Sequence, residues 1–250
     1  MKPNPQPPTA NPRPVSPAEP ITALRHVRIV ECGEPLVDFM AVCPDILLDR
    51  PRFEYRRETL LRKTVAEKLC EANRRLPTGF RLAVVEGWRA PHIQKRMYLA
   101  VWERFRAANP DWSFVKLKRV VNRYTAPLDA WVPPPHSTGG AVDIILTNSD
   151  GKPKDHTSPF DHYDSKCYAF FAPGLSDAAK YTRQLISDAM TPTGLTNYPS
   201  EYWHWSYGDQ GWAYRGGHPH AIYGSISPDN WEPDPADLKD EPLNWLPSDR

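Results

Sequence analysis

The sequence predicts an α+β fold in which helices flank a mostly antiparallel central sheet, within a single domain that has Pro-rich termini. Short apolar or alternating segments typical of strands are interspersed with longer segments of helical periodicity. The connections are too long, and with 29 prolines in 250 residues too rich in proline, for a regular doubly wound sheet. The length suits one domain with a sizeable hydrophobic core.

The first half of the chain is expected to form two strands and two helices. Residues 26–31 (HVRIVE) alternate in polarity, which is typical of a strand. Residues 54–75 carry apolar side chains at three- and four-residue spacing and precede a proline and a glycine, so they predict a helix. Residues 80–86 (FRLAVVE) are typical of a buried strand. A proline can open the next helix, over 91–108.

The second half adds two strands and one helix. Residues 140–146 (GAVDIIL) form a continuous apolar run that indicates a strand. Residues 175–190 predict a helix with Ser176 as its N-cap. The aromatic segment 202–207 (YWHWSY) has the composition of a strand.

Changes in composition suggest the limits of the folded domain. Residues 1–20 include eight prolines and predict a disordered tail. The domain itself is expected over 21–230. Residues 231–250 are acidic and Pro-rich, but Trp231 and Trp245 indicate a strap that packs back on the domain.

Composition excludes several classes of function. The chain has 31 basic and 30 acidic residues and a net charge of +1, which gives no electrostatic basis for binding nucleic acid or an anionic membrane. The mean hydropathy is -0.61 and no stretch approaches 18 apolar residues, so no membrane span is expected. The N-terminal region has no apolar core of the kind found in secretory signals, which predicts a cytoplasmic protein.

The cysteines give no thiolate metal site. Cys32, Cys43, Cys70 and Cys167 include no pair at the two-residue spacing of a zinc knuckle. A disulfide such as Cys32–Cys43 stays open, although reduced thiols are the more common state in a chain of this length.

The first segment with chemical potential is PHSTGGAVDIIL, residues 135–146. Asp143 lies inside its apolar strand, where an unpaired carboxylate would be costly and therefore needs a cation. His136 precedes a Gly139-Gly140 turn that could fold it back beside Asp143, and such a pair suits Zn²⁺. The alternative is an Asp143–arginine ion pair with a surface histidine.

The second segment is SEYWHW, residues 200–205. His204 could supply a third metal ligand, and Glu201 could act on the attacking water as a general base without binding the metal. The alternative is a core histidine between packing tryptophans, with Glu201 exposed.

The third segment is EGWRAPHIQ, residues 86–94. Arg89 follows a strand and precedes a helix, so its guanidinium could project into a cleft and stabilise an oxyanion. The alternative is a structural arginine that holds Glu86 or Asp143. His92 is a rival metal ligand that ranks lower because it lies within a helix, away from the other two segments.

Together the three segments resemble the D-alanyl-D-alanine dipeptidases of the VanX type, which belong to a wider family of zinc D,D-peptidases. The matching motifs read PPHSTGGAVD, EYWH and GWRAP in this chain. They keep the family's order and approximate spacing, and the resemblance extends from about residue 25 to about residue 215.

The resemblance implies a role for each matching residue. His136, Asp143 and His204 would bind one zinc ion per chain. Glu201 would be the catalytic base, and Arg89 would stabilise the transition state.

The resemblance also implies contacts with the substrate. Asp161, in the FD pair of SPFDHYDSK, would bind the free amine, and Ser137 would contact the carboxylate. The motif departs from the family at Pro134, where the family has serine, which affects specificity more than zinc binding. Residues 111–135 have no counterpart in the pattern and could reshape the entrance to the site.

The implied activity is zinc-dependent hydrolysis of a small D,D-dipeptide such as D-Ala-D-Ala. One alternative is a D,D- or L,D-carboxypeptidase of the same family that acts on longer peptidoglycan peptides. Another is a zinc-stabilised binding module without catalysis, as in the related Hedgehog-like domains. The presence of both Glu201 and Arg89 favours an enzyme. The oligomeric state is not predicted.

Overall fold

A central β-sheet is the main architectural feature of the residues that the computed structural model describes, which are 19–128, 131–156 and 168–246. Within these residues the strands are β1 (Leu36–Asp38), β2 (Leu47–Leu48), β3 (Leu60–Arg62), β4 (Phe80–Glu86), β5 (Ala141–Asn148), β6 (Thr196–Asn197) and β7 (His204–Ser206). The helices are α1 (Ile21–Leu24), α2 (Phe39–Val42), α3 (Lys63–Arg75), α4 (Pro91–Ala108), α5 (Phe114–Val121), α6 (Asp177–Met190) and α7 (Gln210–Gly216).

The central sheet has the strand order β2-β4-β5-β7-β6. Only β2 pairs in parallel, with β4, and the other neighbours are antiparallel. A separate antiparallel ribbon joins β1 to β3. Mixed helix and sheet content with a mostly antiparallel sheet confirms the predicted α+β class.

Two hydrophobic clusters hold the helices in place. In the larger cluster, α3 and α6 pack with β4 and β5, whose residues are buried on both faces of the sheet. This double burial explains why both strands read as continuous apolar runs. In the smaller cluster, α4 packs with α5 and with Phe53 and Leu243.

Several predicted elements are confirmed with little change. The strand at 80–86 and the helix at 91–108 have the expected bounds. The strand expected at 140–146 is found as β5, which begins one residue later and ends two residues later. The helix expected at 175–190 is α6, and the hydroxyl of Ser176 accepts a hydrogen bond from its first turn, as an N-cap does.

The predicted helix over 54–75 is wrong in its first nine residues. Its helical part, α3, begins at Lys63, because Leu60–Arg62 pairs with Leu36–Asp38 instead. Arg62 is 1% exposed, and its Nε donates to the main-chain oxygen of Thr138 at 2.8 Å. Tertiary pairing of the buried residues therefore overrides their helical spacing.

The predicted strand at 26–31 is also wrong, and the one at 202–207 is shorter than expected. The first segment makes a single bridge, between Ile29 and Ala221, because its partner is itself an irregular segment. In the second, strand β7 starts only at His204, since Tyr202 and Trp203 form a turn.

The segment after residue 230 packs on the smaller cluster. Trp245 packs against Phe53 with ring centroids 4.3 Å apart and the rings tilted by 45°. Trp231 packs edge-on against Trp88 at 5.0 Å. The division of the chain at residues 20 and 230 stays a prediction. No helix of the described residues is long and apolar enough to cross a membrane.

Candidate metal centre and active-site cavity

Three polar side chains lie side by side across the middle strands of the sheet. The register of β4, β5 and β7 places Glu86 opposite Asp143 and Asp143 opposite His204. Directly opposed residues of antiparallel strands share a face, with Cβ atoms about 4.5–5.5 Å apart. An irregularity in β4 between Val84 and Glu86 ends the regular pairing at this point.

The imidazole of His136 reaches the same place from a short 3₁₀ turn, Pro135–Thr138. This turn ends at Gly139, whose φ of +67° lies in the left-handed region that favours glycine. At Gly140, an added Cβ would lie 2.7 Å from the main-chain oxygen of Tyr207. The Gly-Gly turn is therefore what allows His136 to fold back beside β5.

His136, Asp143 and His204 converge at one point. Each offers a ligand atom, and these atoms lie within 4.8 Å of one another. Oδ1 of Asp143 lies 3.3 Å from Nε2 of His136 and 2.9 Å from Nδ1 of His204. Nδ1 of His136 donates to the main-chain oxygen of Gly87 at 2.8 Å, which leaves Nε2 as the ring nitrogen that faces the cluster.

The charges of this cluster depend on one another. Burial alone would raise the pKa of Asp143, but His136 and His204 hold it well below its ordinary value. Burial lowers the pKa of His204, yet Asp143 and Glu201 raise it overall. An ionised carboxylate in such a buried place needs a cation. Two imidazoles and one carboxylate are donors that Zn²⁺ takes in three-ligand catalytic sites, so the donor set fits zinc.

Glu201 begins the turn that leads into β7. The side-chain amide of Asn197 donates to the main-chain oxygens of Glu201, Tyr202 and His204 at 2.9, 3.2 and 3.0 Å, which fixes this turn. Burial, with a smaller contribution from Asp143, raises the pKa of Glu201 to about 7. A carboxyl group that titrates near neutrality can both accept and return a proton.

Arg89 lines the same cavity and is held by two neighbours. Its Nη1 donates to Oε1 of Gln94 at 2.6 Å, and its Nε lies 3.5 Å from Oε2 of Glu86. The hydroxyl of Tyr55 donates to the same Glu86 oxygen. Arg89 therefore forms the expected alternative ion pair with Glu86 while also facing the cavity, so the two interpretations of this residue are compatible.

The cavity has a volume of about 360 Å³, near the lower end of the roughly 300–1,000 Å³ typical of ligand pockets. The candidate metal ligands, Glu201 and Arg89 all line it. Two further walls come from 122–127 and 132–135, which precede His136 in the chain. Another wall is formed by three residues near the N-terminus: Glu19, Ile21 and Leu24.

The remaining sequence-predicted residues do not join this group. Ser137 is 2% exposed, its hydroxyl contacts the main-chain oxygen of Pro134 and the hydroxyl of Ser225, and it does not line the cavity. Asp161 lies outside the described residues. His92 stacks against Trp231 with ring centroids 6.0 Å apart, away from the metal cluster.

Sequence reasoning missed three residues that position this site: Tyr55, Gln94 and Asn197. Gln94 could have been found, because side chains in the first turn of a helix point back toward its N-terminus, where Arg89 lies. Tyr55 leaves no local signal, because its partner Glu86 lies 31 residues later. Asn197 acts within the turn before β7, on residues four to seven positions later.

Known proteins resemble this chain over most of its length. A model of the M15 peptidase family, described as D-ala-D-ala dipeptidase, matches residues 37–222. A D-alanyl-D-alanine dipeptidase of Synechocystis sp. is 25% identical over 224 residues, which cover 78% of this chain and 91% of the relative. A D-alanyl-D-alanine dipeptidase of Escherichia coli is 26% identical over 127 residues, which cover 51% of this chain and 55% of the relative.

A solved structure of the LdcB LD-carboxypeptidase also resembles the chain. The match covers 80% of this chain and 85% of the carboxypeptidase chain, with 19% sequence identity and a TM-score of 0.39. That likeness is too low to establish a common fold.

Proposed function

The chain belongs to the M15 family of D-Ala-D-Ala dipeptidases, and from this membership we propose that it is a zinc-dependent dipeptidase that hydrolyses the peptide bond of a small D,D-dipeptide, D-Ala-D-Ala first among them. The observation that carries the proposal is the convergence of His136, Asp143 and His204 in one cavity with Glu201 and Arg89. A cluster of ligands alone would serve a structural metal, whereas a base and a guanidinium beside it serve a reaction.

In this proposal His136, Asp143 and His204 hold the metal. When bound, Zn²⁺ supplies Lewis acidity, which lowers the pKa of water and polarises a peptide carbonyl. The hydrogen bond from His136 to the main-chain oxygen of Gly87 orients one ligand, and the strand register orients the other two.

The chain's own residues then carry the proton and stabilise the developing charge. Glu201 takes a proton from the attacking water and returns it to the leaving amine. Arg89 donates hydrogen bonds to the carbonyl oxygen as negative charge develops there. Glu86 and Gln94 keep the guanidinium in place, which limits the reorganisation that the reaction requires.

A dipeptidase also recognises both ends of its substrate. Following the resemblance of the surrounding motif, we assign the free amine to Asp161. The contact of Ser137 with the carboxylate stays a prediction, because Ser137 does not line the cavity. The cavity volume of about 360 Å³ supports a small substrate.

The test compares hydrolysis of D-Ala-D-Ala, L-Ala-L-Ala and a tripeptide that ends in D-Ala-D-Ala, with zinc content measured on the same preparation. We expect about one zinc per chain, as a single three-ligand site requires. Rapid cleavage should be confined to the D,D-dipeptide. Comparable cleavage of the tripeptide would indicate a carboxypeptidase, and zinc binding without hydrolysis of any peptide would indicate a binding module.

A further inference from the structure

The wall of the cavity formed by Glu19, Ile21 and Leu24 comes from a segment that no motif includes. This segment contains α1, which contacts α7. The side-chain amide of Gln210, at the start of α7, donates to the main-chain oxygens of Leu24 and Val27 at 3.1 and 2.7 Å. The wall is thus fastened to the element that follows β7.

An ion pair fixes the beginning of this wall. Nη1 of Arg215 donates to the carboxylate of Glu19, and each side chain is only 8% exposed. The other nitrogens of Arg215 donate to Thr196 and Ser206, so the guanidinium is held from β6 and β7 independently of Glu19. The pair therefore ties the N-terminal segment to a fixed point on the sheet.

A buried ion pair contributes little net stability, because desolvation offsets most of the attraction between its charges. Its geometry does specify where the two segments sit relative to each other. The position matters here because Tyr198, whose ring contacts the candidate ligand His204, also lines the cavity and is affected by the charges of Glu19 and Arg215. The ring of Tyr198 packs edge-on to His204, with ring centroids 6.1 Å apart. Burial raises the pKa of Tyr198 to about 12, with smaller contributions from the carboxylates of Glu201 and Glu19.

We infer that residues 19–24 are the specificity-determining wall that limits the length of the peptide admitted to the site. The inference rests on the proposed dipeptidase function and deepens it. The wall excludes longer peptides by occupying volume, with Ile21 and Leu24 as the apolar barrier and the Glu19–Arg215 pair as its anchor.

The experiment measures kcat/KM for D-Ala-D-Ala and for tripeptides extended at the amino or the carboxyl end. The test variant is Glu19→Ala combined with Leu24→Ala, which removes the anchor and part of the barrier. We expect the ratio of kcat/KM for the tripeptide to kcat/KM for the dipeptide to rise at least about tenfold. This is the lower end of the discrimination that one extra methylene group produces in an apolar pocket. A gain for either extension supports the wall and identifies the end of the peptide that faces it.

Two controls make the result specific. Arg25 follows the same helix, but its side chain is exposed and does not line the cavity. Arg25→Ala should therefore leave the ratio of tripeptide to dipeptide hydrolysis at the wild-type value. Ile21→Trp adds bulk at a side chain that is 39% exposed, so folding is preserved even where the double variant is unstable. This variant should lower kcat/KM for the dipeptide at least about tenfold, by the same reasoning.

The outcomes separate the two levels of the proposal. If the wild type hydrolyses D-Ala-D-Ala but neither the double variant nor Ile21→Trp changes its values, the wall is refuted and the dipeptidase function stands. Equal rates on dipeptide and tripeptides in the wild type would refute the wall and would also indicate a carboxypeptidase instead of a dipeptidase. If the wild type cleaves no dipeptide, the proposed function is wrong, and the inference about the wall is refuted with it because it rests on that function.

Discussion

Replacing Gly139 with alanine should destabilise the protein through two separable effects. The residue has a φ of +67°, a conformation that costs an L-residue about 1–2 kcal/mol. The new Cβ would also lie 2.4 Å from Cδ2 of Leu36 and 3.3 Å from the main-chain nitrogen of Arg62. Overpacking of this kind costs about 1–3 kcal/mol. The total, about 2–5 kcal/mol, corresponds to a fall in Tm of roughly 4–20 °C for a chain of this size.

A matched glycine isolates the conformational part. Gly33 has a φ of +72°, and an added Cβ there would meet no atom within 4 Å. Gly33→Ala should therefore cost only about 1–2 kcal/mol. In a Leu36→Ala background, the extra cost of Gly139→Ala should shrink, because its closest clash has been removed.

The assay is urea unfolding followed by tryptophan fluorescence, with a chelator present so that metal binding does not contribute. Zinc content of the untreated proteins is the second measurement, and Gly139→Ala should bind less zinc because the turn that carries His136 is displaced. Equal stability of Gly139→Ala and Gly33→Ala would refute the steric reasoning. Full zinc occupancy in Gly139→Ala would refute the link between this turn and the metal centre.

Four further variants test the roles assigned at the centre. His204→Ala should lose most of the bound zinc, and retention of about one zinc per chain would contradict its role as a ligand. Glu201→Gln should keep its zinc but lose about 10²–10⁴-fold in turnover, and zinc loss would make Glu201 a ligand. Arg89→Ala should keep its zinc and lose about 10²–10³-fold, mostly in kcat, whereas near-normal kcat would reduce it to a structural ion pair. Asn197→Ala should lower both zinc affinity and Tm, because three main-chain oxygens lose their donor, and unchanged values of both would contradict its positioning role.

Elements with a continuous burial pattern could be predicted from the sequence almost to the residue. The strand at 80–86 lies in the middle of the sheet, so its apolar run reflects burial on both faces. The helix at 91–108 has a proline at its first position, which marks its start. In both cases the local pattern and the tertiary environment agree.

The errors have a common physical origin in pairing between distant segments. Leu60 and Leu61 have helical spacing with the residues that follow, but their partners are Asp38 and Val37. Ile29 belongs to an alternating segment, yet within the described residues it makes one isolated bridge, to Ala221 in an irregular region. A local pattern contains no information about either partner, so periodicity alone could not exclude the wrong element.

The candidate centre could be predicted more fully than its surroundings because its residues belong to short motifs. The Gly139-Gly140 turn lies between His136 and the strand that carries Asp143, so the sequence itself indicates that the two side chains can meet. The cavity walls are different. Glu19 belongs to the segment predicted as a tail, and only the fold brings it to Arg215, 196 residues later.

This difference implies that the reaction and its selectivity depend on separable parts of the chain. The groups assigned to chemistry are attached to β4, β5 and β7 or to the turns next to them, and the strand register fixes their spacing. The walls at 19–24 and 122–127 approach the cavity from outside the sheet. Changes in those walls can therefore alter which peptides enter while the row of Glu86, Asp143 and His204 stays in register. A wall variant that changes peptide preference should consequently keep its zinc, whereas a variant at Asp143 or His204 should lose zinc and activity together.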